Sequence, residues 1–510
     1  MFQENVDTLH EYGWKPVVIS AIMALTAGFI IAGLSFDFLY LLAGLLILGI
    51  SIELISSPVI LILRRETIFQ PITMFSAVSG GYVFGAIYLL VEKQSNPFQY
   101  HLDETNFPYF VQALFYVFIG ILSFQIAYFW ARKGATEKVT LSTDNNEKYE
   151  VDLENQFEGW RLAVGVLAFI GVLGYYFFVS SSGGLLNLVR NIILRNQLRT
   201  TDYYRLLFQF AQVASLLWFA SDKKATKRVS FWLLVILNIL MLLSLGNRGV
   251  VLLFVIQLLV LGELKSANGI LSAVKRRLRR LFKVVVFVVL FLAVGVGLLA
   301  WRQASVASVR GGRFSVSEVL HNATQLTHGE TFMRFLFGGA NLASIEAVAT
   351  IVESTPNQMS YLWGKSFFWL VLMPIPRVIW PNKPTTLGIV IKRTLFDKYA
   401  MGGGVPPSWI GELYLNFHVI GVILGSLLFG YVSAKVYDYY LKRQGNPLVQ
   451  VFYTYYFVVF MFNLTKTEFR TAIIRLTGFL IALLLAYFIM KRRSQAKRQR
   501  RSLLHHSLYR

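Results

Sequence analysis

The sequence predicts an all-α polytopic membrane protein with about 12 transmembrane helices and one long external segment. Three observations carry that expectation. Of 510 residues, 55% are hydrophobic and the mean hydropathy is +0.55, more apolar surface than an ordinary water-soluble core can hide. Apolar stretches of about 17 to 25 residues recur from end to end without barrel-type alternation, so helices must satisfy the backbone in lipid. Basic residues collect in short connections, as at Lys275, Arg276, Arg277, Arg279 and Arg280 and again at Arg492, Arg493, Lys497, Arg498, Arg500 and Arg501. Much of the excess of 49 Lys plus Arg over 27 Asp plus Glu lies in such connections and the tail; the net charge of +22 would in a soluble protein point to nucleic acid. Here it orients spans and touches anionic membrane lipids, and no nucleic-acid partner is expected.

Taken in order, the spans are expected at 17–34, 38–63, 68–91, 108–130, 161–179, 206–220, 229–246, 249–264, 284–300, 409–434, 448–464 and 471–490. The first follows an acidic stretch with Glu4, Asp7 and Glu11, which reads as an uncleaved span and not a signal peptide. In the second, Pro58 is expected to interrupt the helix near the intramembrane Glu53, with a packed neighbour satisfying both. Arg64 and Arg65, Lys223 to Arg228, Lys265 to Lys283, Lys435 to Arg443 and the tail fall on one side, which the positive-inside rule makes cytoplasmic together with both termini. The acid-rich loop 131–160 joins them there as a solvated connector. The expected organisation is an N-terminal bundle of about nine helices over 1–300, an external segment over 301–408 with re-entrant or interfacial helices, C-terminal spans over 409–490 and a basic cytoplasmic tail over 491–510. The run Phe367 to Ile379 is read as re-entrant because counting it as a span would invert every later loop.

The chain has no cysteine, so disulfides, thiolate metal sites and a cysteine nucleophile are excluded. The external candidates are mostly cationic. Arg248, in the tight hairpin Gly246-Asn247-Arg248-Gly249, sits where two spans meet; it either holds an anion or snorkels to lipid phosphate. Arg190, with Arg195 and Arg199, lies on or beside an interfacial helix whose apolar face is Leu185, Leu188, Val189, Ile192 and Ile193. Arg310 and Arg313, flanked by Gly311 and Gly312, offer fork-like donors to one anion.

His328 and Glu330 add proton-transfer chemistry, although Thr327 and Glu330 also form a capping box and Glu330 pairs with Arg334 one turn on. The proline-rich run Met373 to Pro384 stiffens a turn that presents Arg377, Trp380 and Lys383, cations for a diphosphate and an indole face for a pyranose. Glu412 enters a helix directly after Gly402-Gly403-Gly404, where the helix dipole favours an acid and membrane depth makes it a functional candidate. A lone His with one Glu lacks metal-site spacing, so neither metal nor cofactor is expected.

Four segments, Gly246-Asn247-Arg248-Gly249, Arg310-Gly311-Gly312-Arg313-Phe314, Pro374-Ile375-Pro376-Arg377 through Pro384, and Gly411-Glu412-Leu413-Tyr414-Leu415-Asn416-Phe417, together resemble the Wzy-type oligosaccharide repeat-unit polymerases, and more distantly the O-antigen ligases. One departure is Phe417-His418, where a glycine is expected after the aromatic. The resemblance implies a fold similar to the GT-C-type lipid-linked glycosyltransferases, and polymerisation of undecaprenyl-diphosphate-linked oligosaccharide into O-antigen, capsule or exopolysaccharide. It places that reaction on the outer face of the bacterial inner membrane, without metal or nucleotide sugar. Membrane lipids, a chain-length regulator and a flippase are the implied partners. In this reading His328, Glu412 and Glu330 supply acid and base, while Arg190, Arg195, Arg199, Arg248, Arg310, Arg313, Arg334, Arg377, Trp380 and Lys383 bind substrate. Ligase-like transfer of lipid-linked glycan, and transport of polysaccharide or lipid, stay open as alternatives.

Overall fold

A computed structural model of the chain describes residues 38–64, 66–92, 94–95, 100–140, 159–181, 183–184, 202–244, 248–266, 324, 344–372, 380, 384–396 and 404–508. In order these form α1 (Phe38–Leu63), α2 (Pro71–Glu92), β1 (Gln94–Ser95), β2 (Tyr100–His101), α3 (Phe107–Thr140), α4 (Trp160–Ser181) and α5 (Asp202–Ser221). There follow a 3-10 turn (Ala225–Lys227), α6 (Val229–Ser244), α7 (Arg248–Ser266), α8 (Ser344–Ser354), α9 (Lys365–Val371) and α10 (Leu387–Ile391), which runs into a π turn (Lys392–Phe396). Last come α11 (Ser408–Leu441), α12 (Pro447–Tyr455), a π segment (Tyr456–Phe460), α13 (Met461–Lys466) and α14 (Phe469–Leu508). Among the described residues, seven helical stretches are long and apolar enough to cross a membrane: Phe38–Ile62, Pro71–Val91, Phe107–Arg132, Trp160–Ser181, Ser408–Leu441, Pro447–Lys466 and Phe469–Ala496. Shorter apolar helices lie at Leu206–Ser221 and Val229–Ser244. The spans expected at 17–34 and 284–300 fall outside the described residues.

The helices gather into two compact units. The first contains α1, α2, the β1–β2 hairpin, α3, α8, α9, α10, α11, α13 and the first turn of α14. Its centre is the pair α3 and α11, brought into backbone contact by small residues. A Cβ on Gly430 would run into the Phe124 main chain, and one on Gly120 into the Ile410 side chain. Outward, α11 shows an apolar stripe, Ile420, Leu424, Leu428 and Tyr431, at the spacing of one helical face, as lipid contact requires. At one end of the unit Arg132 joins three elements. It meets Glu66 at 3.2 Å and Asp438 at 4.0 Å, donates to Gln70 Oε1 at 3.2 Å, and lies over the Tyr437 ring. The expected interruption at Pro58 does not occur, because α1 runs unbroken through it. Near it, Gln125 Nε2 of α3 donates to the Glu53 carbonyl at 2.9 Å and Ser56 Oγ of α1 donates to the same oxygen, while the Glu53 carboxylate has no hydrogen-bond partner among the described residues.

The second unit contains α4, α5, α6, α7, α12 and the rest of α14. A Cβ at Gly171 would meet Ala211, and one at Gly174 would meet Leu207, so α4 and α5 also approach through glycine. Asn238 bridges α6 to α5 by donating to Ser215 Oγ at 2.7 Å and to the Ala211 carbonyl at 3.1 Å. Beyond α5, Asp222 organises the turn, accepting from the Lys224 N–H at 2.8 Å and from Arg228 Nε at 2.7 Å. Lys265 Nζ closes the same corner on the Phe219 and Asp222 carbonyls. Residues 245–247, between α6 and α7, lie outside the described residues, so the hairpin expected there is described only from Arg248 onward.

Candidate functional site

Within the first unit, one carboxylate is the meeting point of three helices. Glu412, in the second turn of α11, is 1% exposed. Ser366 Oγ, from α9, donates to its Oε1 at 2.7 Å, and the Phe469 N–H that opens α14 donates to its Oε2 at 2.6 Å. One turn further along α11, Asn416 Nδ2 donates to Ser366 Oγ and to the Glu412 carbonyl, both at 2.8 Å. The first orphan N–H of α14 is thus capped by a side chain remote in sequence. With both oxygens engaged and the side chain buried, this carboxylate holds α9, α11 and α14 together.

The corner between α13 and α14 brings further ionisable groups to the same place. Lys466, Glu468 and Arg470 are each less than a tenth exposed. Glu468 accepts from Thr471 Oγ1 at 2.9 Å and from the Gly388 N–H at 3.3 Å, tying the corner to α10. Arg470 Nη1 donates to the Thr385 carbonyl at 3.2 Å, and both Arg470 and Glu468 act electrostatically on Glu412. The Lys466 ammonium lies 5.5 Å from the Tyr82 ring centre. Gly404 and Gly388 pack backbone to backbone, joined by the Val405 N–H and the Gly388 carbonyl at 2.8 Å.

Directly after Asn416 the α11 helix breaks. Phe417 has φ −142° and ψ 24°, and His418 has φ 58° and ψ −155°, a region that essentially only glycine occupies. The cause is tertiary. The carbonyls of Leu415 and Asn416 accept from the Leu362 and Trp363 N–H groups at 2.9 and 3.2 Å, and Asn416 Oδ1 accepts from the Gly364 N–H. A segment from outside the helix therefore takes acceptors that the next turn would have used. Trp363 itself stands at φ 49°. Such conformations cost on the order of 1–3 kcal/mol each and persist only where surrounding contacts impose them. Around the break, His418 lies 5.0 Å from Tyr414, 5.7 Å from Tyr361 and 6.2 Å from Tyr116, measured between ring centres.

Of the residues singled out from sequence, Glu412 is the one whose surroundings are fully described. Trp380 is half-buried, and Arg248 is the first residue of α7. Arg190, Arg195, Arg199, Arg310, Arg313, His328, Glu330, Arg334, Arg377 and Lys383 lie outside the described residues. Sequence reasoning passed over Ser366, Lys466, Glu468 and Arg470. A signal for the last three existed: the charged run Lys466-Thr467-Glu468-Phe469-Arg470 interrupts two apolar stretches at a point where a plain turn needs no buried charge.

Comparison with known proteins gives one family. The family model described as O-antigen polysaccharide polymerase Wzy matches residues 17–498, nearly the whole chain. No curated protein and no solved structure matches.

Proposed function

The chain belongs to the O-antigen polysaccharide polymerase Wzy family, and on that footing we propose that it polymerises undecaprenyl-diphosphate-linked oligosaccharide repeat units into surface polysaccharide. The observation that carries this reading is the extent of the match, which takes in both the spans and the Glu412 region. The reaction runs on the outer face of the inner membrane, where 301–408 and the N-terminal end of α11 lie in the expected topology. A hydroxyl on the terminal sugar of one lipid-linked unit attacks the anomeric carbon of the growing glycan. The bond from that carbon to the carrier diphosphate breaks, and the hydroxyl proton passes to a base.

Three demands follow from that chemistry: cations on the leaving diphosphate, a base at the acceptor and fixed geometry between them. We assign the first to Arg248, Arg310, Arg313 and Arg377, with Arg190, Arg195, Arg199, Arg334, Trp380 and Lys383 guiding the carrier and its sugars. His328 is the proposed base, since imidazole has an unperturbed pKa near 6.5 against about 4 for a carboxylate. Glu330, two residues on in the sequence, is a further catalytic candidate. Glu412, held by Ser366 and Phe469, acts as a positioning residue that keeps α9 and α11 in register. Arginine forks take the place of a divalent cation, so transfer proceeds without metal. Purified full-length chain given lipid-linked repeat units in EDTA should extend them. An obligatory divalent cation would remove the arginine clamp from the mechanism.

A further inference from the structure

We propose that the break in α11 builds a pyranose-binding platform, with His418, Tyr361 and Trp363 as its contact residues and Tyr116 and Tyr414 as its wall; this rests on the polymerase reading above. Three independent features converge there. His418 holds a backbone conformation proper to glycine, yet it carries an imidazole that is exposed. Nothing in the local fold needs a side chain at that point, because the break is already fixed by the Leu362 and Trp363 N–H groups on the Leu415 and Asn416 carbonyls. A strained residue that the fold does not require is the kind that function retains.

The rings have the arrangement a sugar needs. Tyr361 is half-buried and Trp363 is 72% exposed, with ring centres 5.9 Å apart, so apolar faces are presented beside polar edges. Behind them Tyr116 and Tyr414 stack at 5.0 Å and are buried. Gln112 Nε2 donates to the Tyr116 hydroxyl at 2.7 Å, and the Tyr414 hydroxyl interacts with those of Tyr116 and Tyr361. A pyranose ring offers C–H faces to stack on tyrosine and indole, and hydroxyls to pair with imidazole and phenol. The platform joins Glu412 through consecutive residues: Trp363 and Gly364 bind Asn416, whose amide reaches the Ser366 that donates to Glu412. An aromatic belt facing lipid headgroups would explain a lone Trp363, but not a strained histidine converging with three tyrosines.

The test uses full-length protein in nanodiscs and two probes: repeat-unit glycan released from its lipid by mild acid, and undecaprenyl diphosphate bearing no sugar. The platform predicts that the wild type binds the free glycan, and that His418→Gly and Tyr361→Ala each weaken this at least about tenfold while leaving undecaprenyl diphosphate binding unchanged. Tyr361→Phe, which keeps the ring, should retain most of the affinity. Because glycine relaxes the backbone, His418→Gly should melt no lower than wild type, which separates lost binding from lost folding. No binding of free glycan to the wild type, or equal glycan affinity in His418→Gly and Tyr361→Ala, overturns the proposal. Glycan ladders from the same variants are scored separately: an intact ladder alongside absent glycan binding removes the platform and leaves the polymerase reading standing.

Discussion

Glu412 shows how one side chain can set local stability. Replacing it with alanine strands the Phe469 N–H and disturbs the Ser366 and Asn416 hydroxyl–amide pair in a buried place, and each buried group left unsatisfied costs about 1–3 kcal/mol. Glu412→Ala should therefore lower the melting temperature and the yield of folded protein, whereas Glu412→Gln, which keeps one acceptor oxygen, should lose less. A Glu412→Ala protein with the wild-type Tm would show that the carboxylate does not join these helices. A second residue gives a pH test. Burial pushes Asp222 up, but the Lys224 N–H and the Arg228 guanidinium more than offset it, holding the carboxyl below its ordinary range. Its contribution to stability is then present above the unfolded value of about 4 and fades as pH falls through the lower folded value. Melting curves of wild type and Asp222→Asn should differ at neutral pH and converge in acid; a gap that persists or widens at low pH would contradict this. The sequence displayed Glu412 as an acid near a helix start, but its partners are 46 and 57 residues away, and no local pattern reports pairing at that separation.

The helices were legible wherever apolar length alone decided them, and obscure wherever a neighbour did. α1, α2 and α4 lie within a few residues of the expected spans because each is a long apolar run with polar ends; α3 starts within one residue of its expected span but runs ten residues further, to Thr140, into the stretch expected to be a connector. Pro58 carried the standard local sign of a break, yet α1 is continuous through it. The real break, at Phe417-His418, contains no proline; it arises from donors more than 50 residues earlier in the chain, which no reading of α11 by itself reveals. Packing through glycine offers a contrast between two positions. At Gly430 an added methyl meets the Phe124 main chain, which cannot swing aside, so Gly430→Ala should destabilise by about 1–3 kcal/mol. At Gly44, in α1, a Cβ meets nothing within 4 Å, and Gly44→Ala should be neutral or gain up to about 1 kcal/mol from helix propensity. Thermal melts of the two variants that come out equal would refute the close α3–α11 contact.

For the whole molecule, the absence of cysteine makes topology directly measurable. In the expected orientation the α2–α3 connection faces outward and the turn after α5 faces the cytoplasm. Thr105→Cys should react with an impermeant thiol reagent in intact cells and Lys224→Cys only after the membrane is opened; the reverse pattern would invert the protein and move Glu412 to the wrong face. Composition and spacing were enough to identify a multi-pass membrane protein, and four short segments in order pointed to its family. The buried corner of Lys466, Glu468 and Arg470 stayed hidden because its meaning depends on α10 and α11, which only the folded chain brings beside it. The central claim concerns the reaction, and it is tested most directly by deleting the gene in its host and resolving the surface glycan by size on a gel, with the wild-type chain restored in parallel. Polymerisation predicts that the deletion abolishes the ladder of long glycans while single repeat units are still displayed, and that the restored chain brings the ladder back; a normal ladder in the deletion would contradict it.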